Sequence, residues 1–173
     1  MLNVAVAEQQ SFTYDKGIYF GMDQDAVLSI VGPASDSDDG VLVYVDNQIA
    51  GLDANVSYHF VDNSLSAILI SFTETYSNPN KHIYSYNSVD DALSVKYGDA
   101  TASRQYMWDN DLFKERPDSY GLAVSAGYLT IISLWEQSDV EIWHLLLGNN
   151  GEISHMIKYN PIDAVIETDI SGL

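Results

Sequence analysis

The sequence predicts an α+β fold, in which two tandem units, each a helix followed by antiparallel strands, form one sheet of about eight strands with helices packed on one face. A short helix pattern that closes at Gly32 and a longer one that closes at Gly98 are each followed by strand patterns. The two glycines lie 66 residues apart (98 − 32 = 66), a period that suits a small duplicated unit. Turn signals at Asp62-Asn63 and at Gly148-Asn149-Asn150-Gly151 predict antiparallel hairpins.

The first unit is expected to span residues 18–76 and to begin with a short helix. Asp23 is a good N-cap residue, and Gly32-Pro33 provides a glycine for the helix end and a proline that blocks continuation. A polar acidic loop, 34–40, follows the helix. Alternation of apolar and polar residues then predicts strands at 41–45, 55–60 and 65–73.

The second unit is expected to span residues 77–161 and to begin with a longer helix at Asn78-Pro79. Its apolar stripe consists of Ile83, Tyr86, Val89, Leu93 and Tyr97. Strands are predicted around 104–108 and at 120–126, 128–136, 140–147 and 153–159. The two units are expected to form one domain.

The two chain ends carry weaker signals. Residues 1–17 are expected to be a flexible N-terminus, and Ala5-Val6-Ala7 resembles the small-residue end of a signal peptide, which would place the protein outside the cytoplasm. An ordinary flexible N-terminus is the equally weighted alternative. Residues 162–173 are expected to form a C-terminal tail.

Composition limits the classes of partner. The chain has 173 residues, of which 25 are acidic and 7 basic, giving a formal net charge of −18. Phosphate backbones require lysine and arginine, so nucleic acid is excluded as a partner, and a basic protein or peptide is more compatible. Solubility is the simpler explanation of the acidity. No apolar run approaches the roughly 18 residues that a spanning helix needs.

Cofactor and catalytic signals are weak. Because the chain has no cysteine, disulfides, thiolate zinc sites and cysteine nucleophiles are excluded, and no cofactor or metal is predicted. The loop Asp36-Ser37-Asp38-Asp39-Gly40 lacks the closing glutamate of a calcium loop and is interpreted as a solvated acidic turn. The segment 121–127 has a serine between glycines, but not at nucleophile-elbow spacing, and is interpreted as a strand entering a turn.

The last predicted hairpin raises the question of a histidine pair. Pairing Leu147 with Glu152 sets Glu141 opposite Lys158 and Trp143 opposite Met156, both of which are favourable pairs. The same register sets His144 opposite His155. Two imidazoles do not make a metal site, so half-buried structural histidines are the favoured interpretation.

Aromatic residues on the strands are the candidate binding anchors. Most strand aromatics belong to the core, but those on an uncovered sheet face would form a rigid recognition surface. Trp143 is the leading candidate because its neighbours Glu141 and Lys158 indicate a solvated face. The other candidates are Tyr128, Trp135, Tyr58 and Tyr44.

The helix ends resemble a known family. Phe20-Gly21-Met22, leading into Val27, Ile30 and Gly32-Pro33, and later Lys96-Tyr97-Gly98-Asp99-Ala100, resemble the tandem units of the beta-lactamase-inhibitory-protein-like fold, over roughly residues 18 to 160. Single units of this pattern occur in the BamE (SmpA/OmlA) envelope lipoproteins. The resemblance implies an extracytoplasmic bacterial domain with a concave protein-binding sheet. The inhibitors carry disulfides, which this chain lacks, and no lactamase-contacting motif is present, so no functional residue is transferred.

The expected function is therefore a non-enzymatic, extracytoplasmic module that binds a protein or peptide, preferably a basic one, through an open sheet face. The alternatives are a hydrolase of unrecognised type, using carboxylates or a histidine, and a self-associating structural domain. A hydrolase would have a pocket with several perturbed titratable groups, whereas the binding module would have a broad, shallow face. The sequence leaves the oligomeric state open.

Overall fold

The computed structural model describes residues 12–162, which form one antiparallel sheet of eight strands with three α-helices. The helices are α1 (Gln24–Val31), α2 (Asn80–Tyr97) and α3 (Tyr120–Ser125). The strands are β1 (Asp36–Asp38), β2 (Val41–Ile49), β3 (Leu52–Val61), β4 (Ser64–Phe72), β5 (Ala102–Trp108), β6 (Leu129–Glu136), β7 (Val140–Asn149) and β8 (Glu152–Pro161). The α+β class and the size of the sheet are as predicted.

The strand order is β1-β2-β3-β4-β8-β7-β6-β5, so the first four strands and the last four each form a meander. The two meanders join in the middle of the sheet, where β4 pairs with β8 and Ile70 lies opposite Ile157. Because every pair is antiparallel, short hairpins and helical connections suffice to link the strands. Helix α1 precedes the first meander and α2 precedes the second.

One face of the sheet carries the core. Buried and partly exposed residues alternate along β6 and β7, and the buried ones pack with side chains of the helices. We call this the covered face. The residues between them point to the opposite side, which we call the open face, and the two core clusters within residues 12–162 lie on the covered face.

The helix ends follow the predicted signals. The Asp23 carboxylate accepts a hydrogen bond from the Ala26 N–H at 2.7 Å, as an N-cap residue does. Gly32 and Gly98 end α1 and α2 at φ values of +101° and +84°, which residues with a Cβ rarely adopt. Just before α2, the Asn78 side chain accepts a hydrogen bond from the Asn80 N–H at 3.0 Å. The apolar stripe of α2 packs on the covered face.

The strand predicted at 120–126 is wrong, because the segment forms α3. Its apolar run is too short for periodicity to distinguish a helix from a strand. Tertiary contacts favour the helix: the Gly121 N–H donates to the Asn80 side chain at 2.8 Å. A Cβ at Gly121 would lie 2.4 Å from the Asn80 backbone nitrogen, so only glycine fits this contact with α2.

The acidic loop at 34–40 also differs from prediction, because Asp36–Asp38 forms the exposed edge strand β1. It pairs with residues 41–43 through a turn at Asp39-Gly40. The residues 12–17, expected to be flexible, include Phe12, which packs against the core, and Tyr14, which is buried in it. Ala5-Val6-Ala7 and residues 163–173 lie outside the described part of the chain.

The predicted register of the β7–β8 hairpin is wrong by two residues. Asn150 and Gly151 form a two-residue turn, with φ values of +52° and +93°, flanked by the pair Asn149 and Glu152. The sequence pattern predicts a four-residue loop at 148–151 instead. Trp143 therefore lies opposite Lys158, Leu145 opposite Met156, Glu141 opposite Asn160, and His144 opposite Ile157. A shift of two residues leaves every side chain on its predicted face.

Candidate functional site

Three side chains under α2 form a continuous hydrogen-bonded chain, which we call the histidine chain. Asp90 of α2 lies with its Oδ1 3.1 Å from Nδ1 of His144 on β7. The Nε2 of His144 lies 2.8 Å from the Nε2 of His155 on β8. The two histidines are not directly opposed in the register; they meet diagonally, since Leu146 is the residue opposite His155. The two imidazole rings are long enough to meet across this diagonal, so the contact is not specified by strand pairing alone.

The histidine chain is buried and anchored at its acidic end. Asp90, His144 and His155 are 2%, 0% and 5% exposed. The Arg104 guanidinium, which a bulge in β5 directs to the covered face, donates to Asp90 Oδ2 at 2.9 Å and also pairs with Asp91. A buried carboxylate is costly without such partners, and here the arginine and the imidazole both supply them.

The protonation states follow from burial and partners. Burial opposes ionisation of Asp90, but hydrogen bonds from His144, Ser133 and Arg104 hold its pKa below the usual value. Burial lowers the pKa of His144, although the Asp90 carboxylate opposes this. Burial lowers the pKa of His155 to about 2, with the nearby His144 and His82 contributing. Both chain histidines are therefore neutral, and Asp90 is ionised, near neutral pH.

These states assign one tautomer to each ring. Ionised Asp90 accepts a hydrogen bond, so the Nδ1 of His144 carries the proton and donates it. The Nε2 of neutral His144 is then an acceptor, and the Nε2–H of His155 donates to it. The remaining nitrogen of His155, Nδ1, consequently has a free lone pair.

Tyr86 on α2 supports the middle of the chain. Its ring stacks on His144 with centroids 3.9 Å apart and planes within 4°. Its hydroxyl lies 2.9 Å from Ser133 Oγ on β6 and donates to the His144 carbonyl at 3.3 Å. Within residues 12–162, no fully buried polar side-chain atom is without a hydrogen-bond partner. The fully buried atoms of the cluster thus all have partners, as a buried network requires, and the Nδ1 of His155 is the acceptor that stays open at its end.

A cleft opens beyond His155, between the start of α2 and the β7–β8 turn. Its outer part has a volume of about 390 Å³ and is lined in part by Glu74, Tyr76, His82 and Glu152. Its inner part is a chamber of about 10 Å³, with His155 as one wall. Glu74, Tyr76 and His82 line both parts. We call the whole the α2 cleft.

The polar groups of the α2 cleft are partly connected. The Tyr76 hydroxyl donates to Glu74 Oε2 at 2.5 Å and lies 2.8 Å from Ser85 Oγ. The His82 ring meets the Tyr76 ring edge-on, with centroids 4.8 Å apart. His82 is 8% exposed, and burial lowers its pKa, although Glu74 opposes this. The cleft therefore combines a carboxylate, hydroxyls and neutral imidazoles.

A second candidate site lies on the open face around Trp143. Leu134 and Lys158 flank this tryptophan on the neighbouring strands. Its Nε1–H donates to Glu141 Oε2 at 3.1 Å, and Glu141 stands directly opposite Glu136. The adjacent row of partly exposed apolar side chains is Ile132, Leu145 and Met156. We call these residues together the Trp143 surface.

The other predicted anchors are not on this surface. Trp135 and Tyr58 are buried on the covered face, where the Trp135 indole donates to the Gly98 carbonyl at 2.9 Å. Tyr44 is on the same side and donates to the Gly32 carbonyl at 2.9 Å. Tyr128 precedes β6 and stacks on Phe113 with centroids 6.2 Å apart. Of the five predicted anchors, Trp143 is thus the one that belongs to this open-face surface.

The sequence left parts of both sites unidentified. Asp90 stands beside Val89 in the apolar stripe of α2, and a carboxylate at such a position is the signal that could have identified it. In the β7–β8 hairpin, a two-residue Asn-Gly turn would have placed Leu145 opposite Met156.

In the described part of the chain, no group of three or more histidine and acidic residues could hold a metal ion. His144 and His155 are more deeply buried than predicted.

The fold and sites define an α+β protein with one open antiparallel sheet, a buried histidine chain and a polar cleft. The chain matches no protein family, no curated protein and no solved structure. None of the helices in residues 12–162 is long and apolar enough to cross a membrane.

Proposed function

We propose that the chain is a non-enzymatic module that binds a basic protein or peptide through the Trp143 surface. The observation that carries this proposal is the position of Trp143, which lies between an apolar row and the pair Glu136 and Glu141. Like charges directly opposite each other destabilise a sheet. A lysine or arginine of a partner would neutralise both carboxylates and stack on the indole.

The apolar row supplies the second part of the interface. Ile132, Leu145 and Met156 lie in register across β6, β7 and β8. A flat strip of this kind suits apolar side chains that alternate with the basic ones on an extended partner segment. The net charge of −18 would steer such a partner toward the module and accelerate association at low salt. Lys158 then helps to orient the partner, because it repels basic groups from its side of Trp143.

The proposal includes two statements about origin and place. We propose that the helix-plus-meander units are a tandem duplication, which the similar Gly32 and Gly98 helix ends support. We also propose that the module works outside the cytoplasm, as its resemblance to the inhibitory-protein-like and BamE domains suggests. Mature protein recovered from the source cells would test the second statement, because an N-terminus beginning after Ala7 indicates signal-peptide cleavage.

Binding is tested with a defined probe, a soluble peptide of alternating lysine and leucine residues, titrated by calorimetry. Saturable one-to-one binding that weakens at least about tenfold in Trp143→Ala supports the proposal. The matched control is Tyr84→Ala, which removes an exposed aromatic from α2. The double variant Glu136→Gln/Glu141→Gln is compared with Asp99→Asn/Glu115→Gln, which makes the same charge change at other exposed positions. If both double variants weaken peptide binding equally, the peptide is bound by nonspecific charge attraction and not by the Trp143 surface.

A hydrolase remains the second candidate, and the histidine chain is the observation that favours it. An ionised carboxylate followed by oriented imidazoles is the arrangement that a general base requires. The α2 cleft also has several perturbed titratable groups around it. Hydrolysis of activated esters or glycosides that disappears in His155→Phe, while the fold persists, would favour this candidate over the binding module.

Self-association is the third candidate. Sedimentation of the 19.2 kDa chain at twice its mass would favour it. If Trp143→Ala then restored the monomer, the Trp143 surface would be the interface between two copies of the chain.

A further inference from the structure

We propose that the α2 cleft binds a primary ammonium group, which enters the inner chamber while the rest of its ligand lies in the outer cleft. This site is separate from the Trp143 surface, since the cleft is formed at the start of α2 and beside the covered face. The size of the chamber, the unpartnered acceptors at its wall and the negative charge of the cleft all favour an ammonium group.

The chamber has the size of the proposed group. Its volume of about 10 Å³ is that of a space for a single water molecule. An ammonium group is similar in size to water and donates three hydrogen bonds. The outer cleft, at about 390 Å³, is within the range of small-molecule sites and has room for the carbon chain that carries the ammonium.

Two buried imidazoles provide acceptors without partners. The Nδ1 of His155 has no hydrogen-bond partner in the part of the chain that the structure describes, although the residue is 95% buried (5% exposed). Since no fully buried polar atom in that part lacks a partner, Nδ1 is not fully buried. His155 lines the chamber, and the proposal places Nδ1 on that side of the ring. The His82 ring has no side-chain hydrogen bond among the described residues either, and it is 8% exposed. Neutral imidazole nitrogens of this kind accept from an ammonium.

The histidine chain explains why His155 is an acceptor and not a donor toward the cleft. Ionised Asp90 sets the proton on Nδ1 of His144, which sets the proton of His155 on Nε2. The negative charge of Asp90 thus keeps the Nδ1 of His155 unprotonated, through the two hydrogen bonds of the histidine chain. The chain acts as a positioning device for this acceptor.

Glu74 supplies the charge that a cation requires. Its Oε2 accepts from Tyr76 and its Oε1 from the Asp53 N–H, so the carboxylate is held in place at the chamber wall. With Glu152 also at the cleft, an anionic ligand would be repelled. A metal ion is a poorer fit, because no suitable ligand group occurs among the described residues.

The test uses butylamine as the probe and butyltrimethylammonium as the comparison, at pH 7.5, with nitrogen-detected NMR of the histidine rings. We expect saturable shifts of the His155 Nδ1 and His82 signals with butylamine and none with the quaternary ammonium, which has no N–H donor. Glu74→Gln should weaken the affinity for butylamine at least about tenfold, the effect of losing a charged hydrogen bond. Glu115→Gln is the matched control and should leave it unchanged.

A further pair of variants separates recognition from folding. His82→Phe keeps an aromatic ring against Tyr76 and should reduce the affinity for butylamine, whereas His59→Phe, on β3 and away from the cleft lining, should not. Equal shifts with butylamine and the quaternary ammonium, or no shifts up to molar amine, would overturn the proposal. So would tight zinc binding at His82 and His155 that excludes butylamine.

The source of the ammonium is distinguished by a second titration. Nα-acetyl-lysine amide carries the same ammonium on a peptide unit, and tighter binding than butylamine would point to a lysine side chain as the ligand. Tighter binding of butylamine would point to a free amine. Trp143→Ala should leave both titrations unchanged, because Trp143 is not part of the α2 cleft. Loss of peptide binding at the Trp143 surface and loss of amine binding at the α2 cleft are therefore measured independently.

Discussion

The Nε2 atoms of His144 and His155 lie 2.8 Å apart in the core, so one proton is shared between two buried imidazoles. If both rings carried two protons, their N–H groups would point at each other. The pair is therefore compatible with the fold only while at least one ring is neutral, and the carboxylate of Asp90 decides which nitrogen holds the proton.

The first prediction is that acid destabilises the fold below about pH 6.5, the pKa of an unfolded-chain histidine. Burial lowers the pKa of His155 to about 2 and also lowers that of His144. The unfolded chain thus binds more protons than the folded one, and stability present above pH 6.5 is lost as the pH falls. Each histidine contributes at most about 1.4 kcal/mol per pH unit. Urea unfolding at pH 7 and pH 5 measures this.

The matched variant for this prediction is His155→Phe. It removes one of the two protonation sites, so the loss of stability between pH 7 and pH 5 should be smaller than in the unaltered protein. A steeper loss in the variant would contradict the assignment of His155 as a neutral buried ring.

The second prediction compares the two aspartates that contact Arg104. Asp90→Asn removes a buried charge that also orients His144, and we expect a loss of about 2–3 kcal/mol in the free energy of unfolding. Asp91→Asn removes a partner that is 74% exposed, so the loss should stay below about 1 kcal/mol. Chemical denaturation of both variants at pH 7 provides the comparison. Similar losses would mean that the histidine chain contributes little.

The third prediction separates the two tryptophans. Trp135→Ala empties a fully buried site and should cost about 3–5 kcal/mol of stability. Trp143→Ala acts at a partly exposed position, so we expect a smaller loss, together with the loss of peptide binding described above. Thermal unfolding monitored by circular dichroism distinguishes them. A larger destabilisation by Trp143→Ala would show that this tryptophan is structural.

Local signals predict the helix ends and the alternation along the strands, but neither the face that the helices cover nor the contacts between distant segments. Asp23 and Gly32 act within one turn of backbone, so their roles are visible in the sequence. The contact between His144 and His155 depends on hairpin register, and a turn of two residues instead of four changes every pair. Asp90 of α2 is satisfied by Arg104 of β5, which only the fold brings near. Of the Trp143 surface, the sequence predicts the tryptophan with Glu141 and Lys158, but not the apolar row, because that row depends on the same register.

The conformation of α3 is likewise set by a contact with a residue 41 positions away in the sequence. A methyl group at Gly121 would overlap the backbone of Pro79 and Asn80, at 2.4 Å. We therefore predict that Gly121→Ala costs about 1–3 kcal/mol by overpacking, although alanine favours a helix. Leu122→Ala, at an exposed position of the same helix, is the control and should be close to neutral. Urea unfolding measures both, and a Gly121→Ala variant as stable as the control would show that α3 does not pack closely on α2.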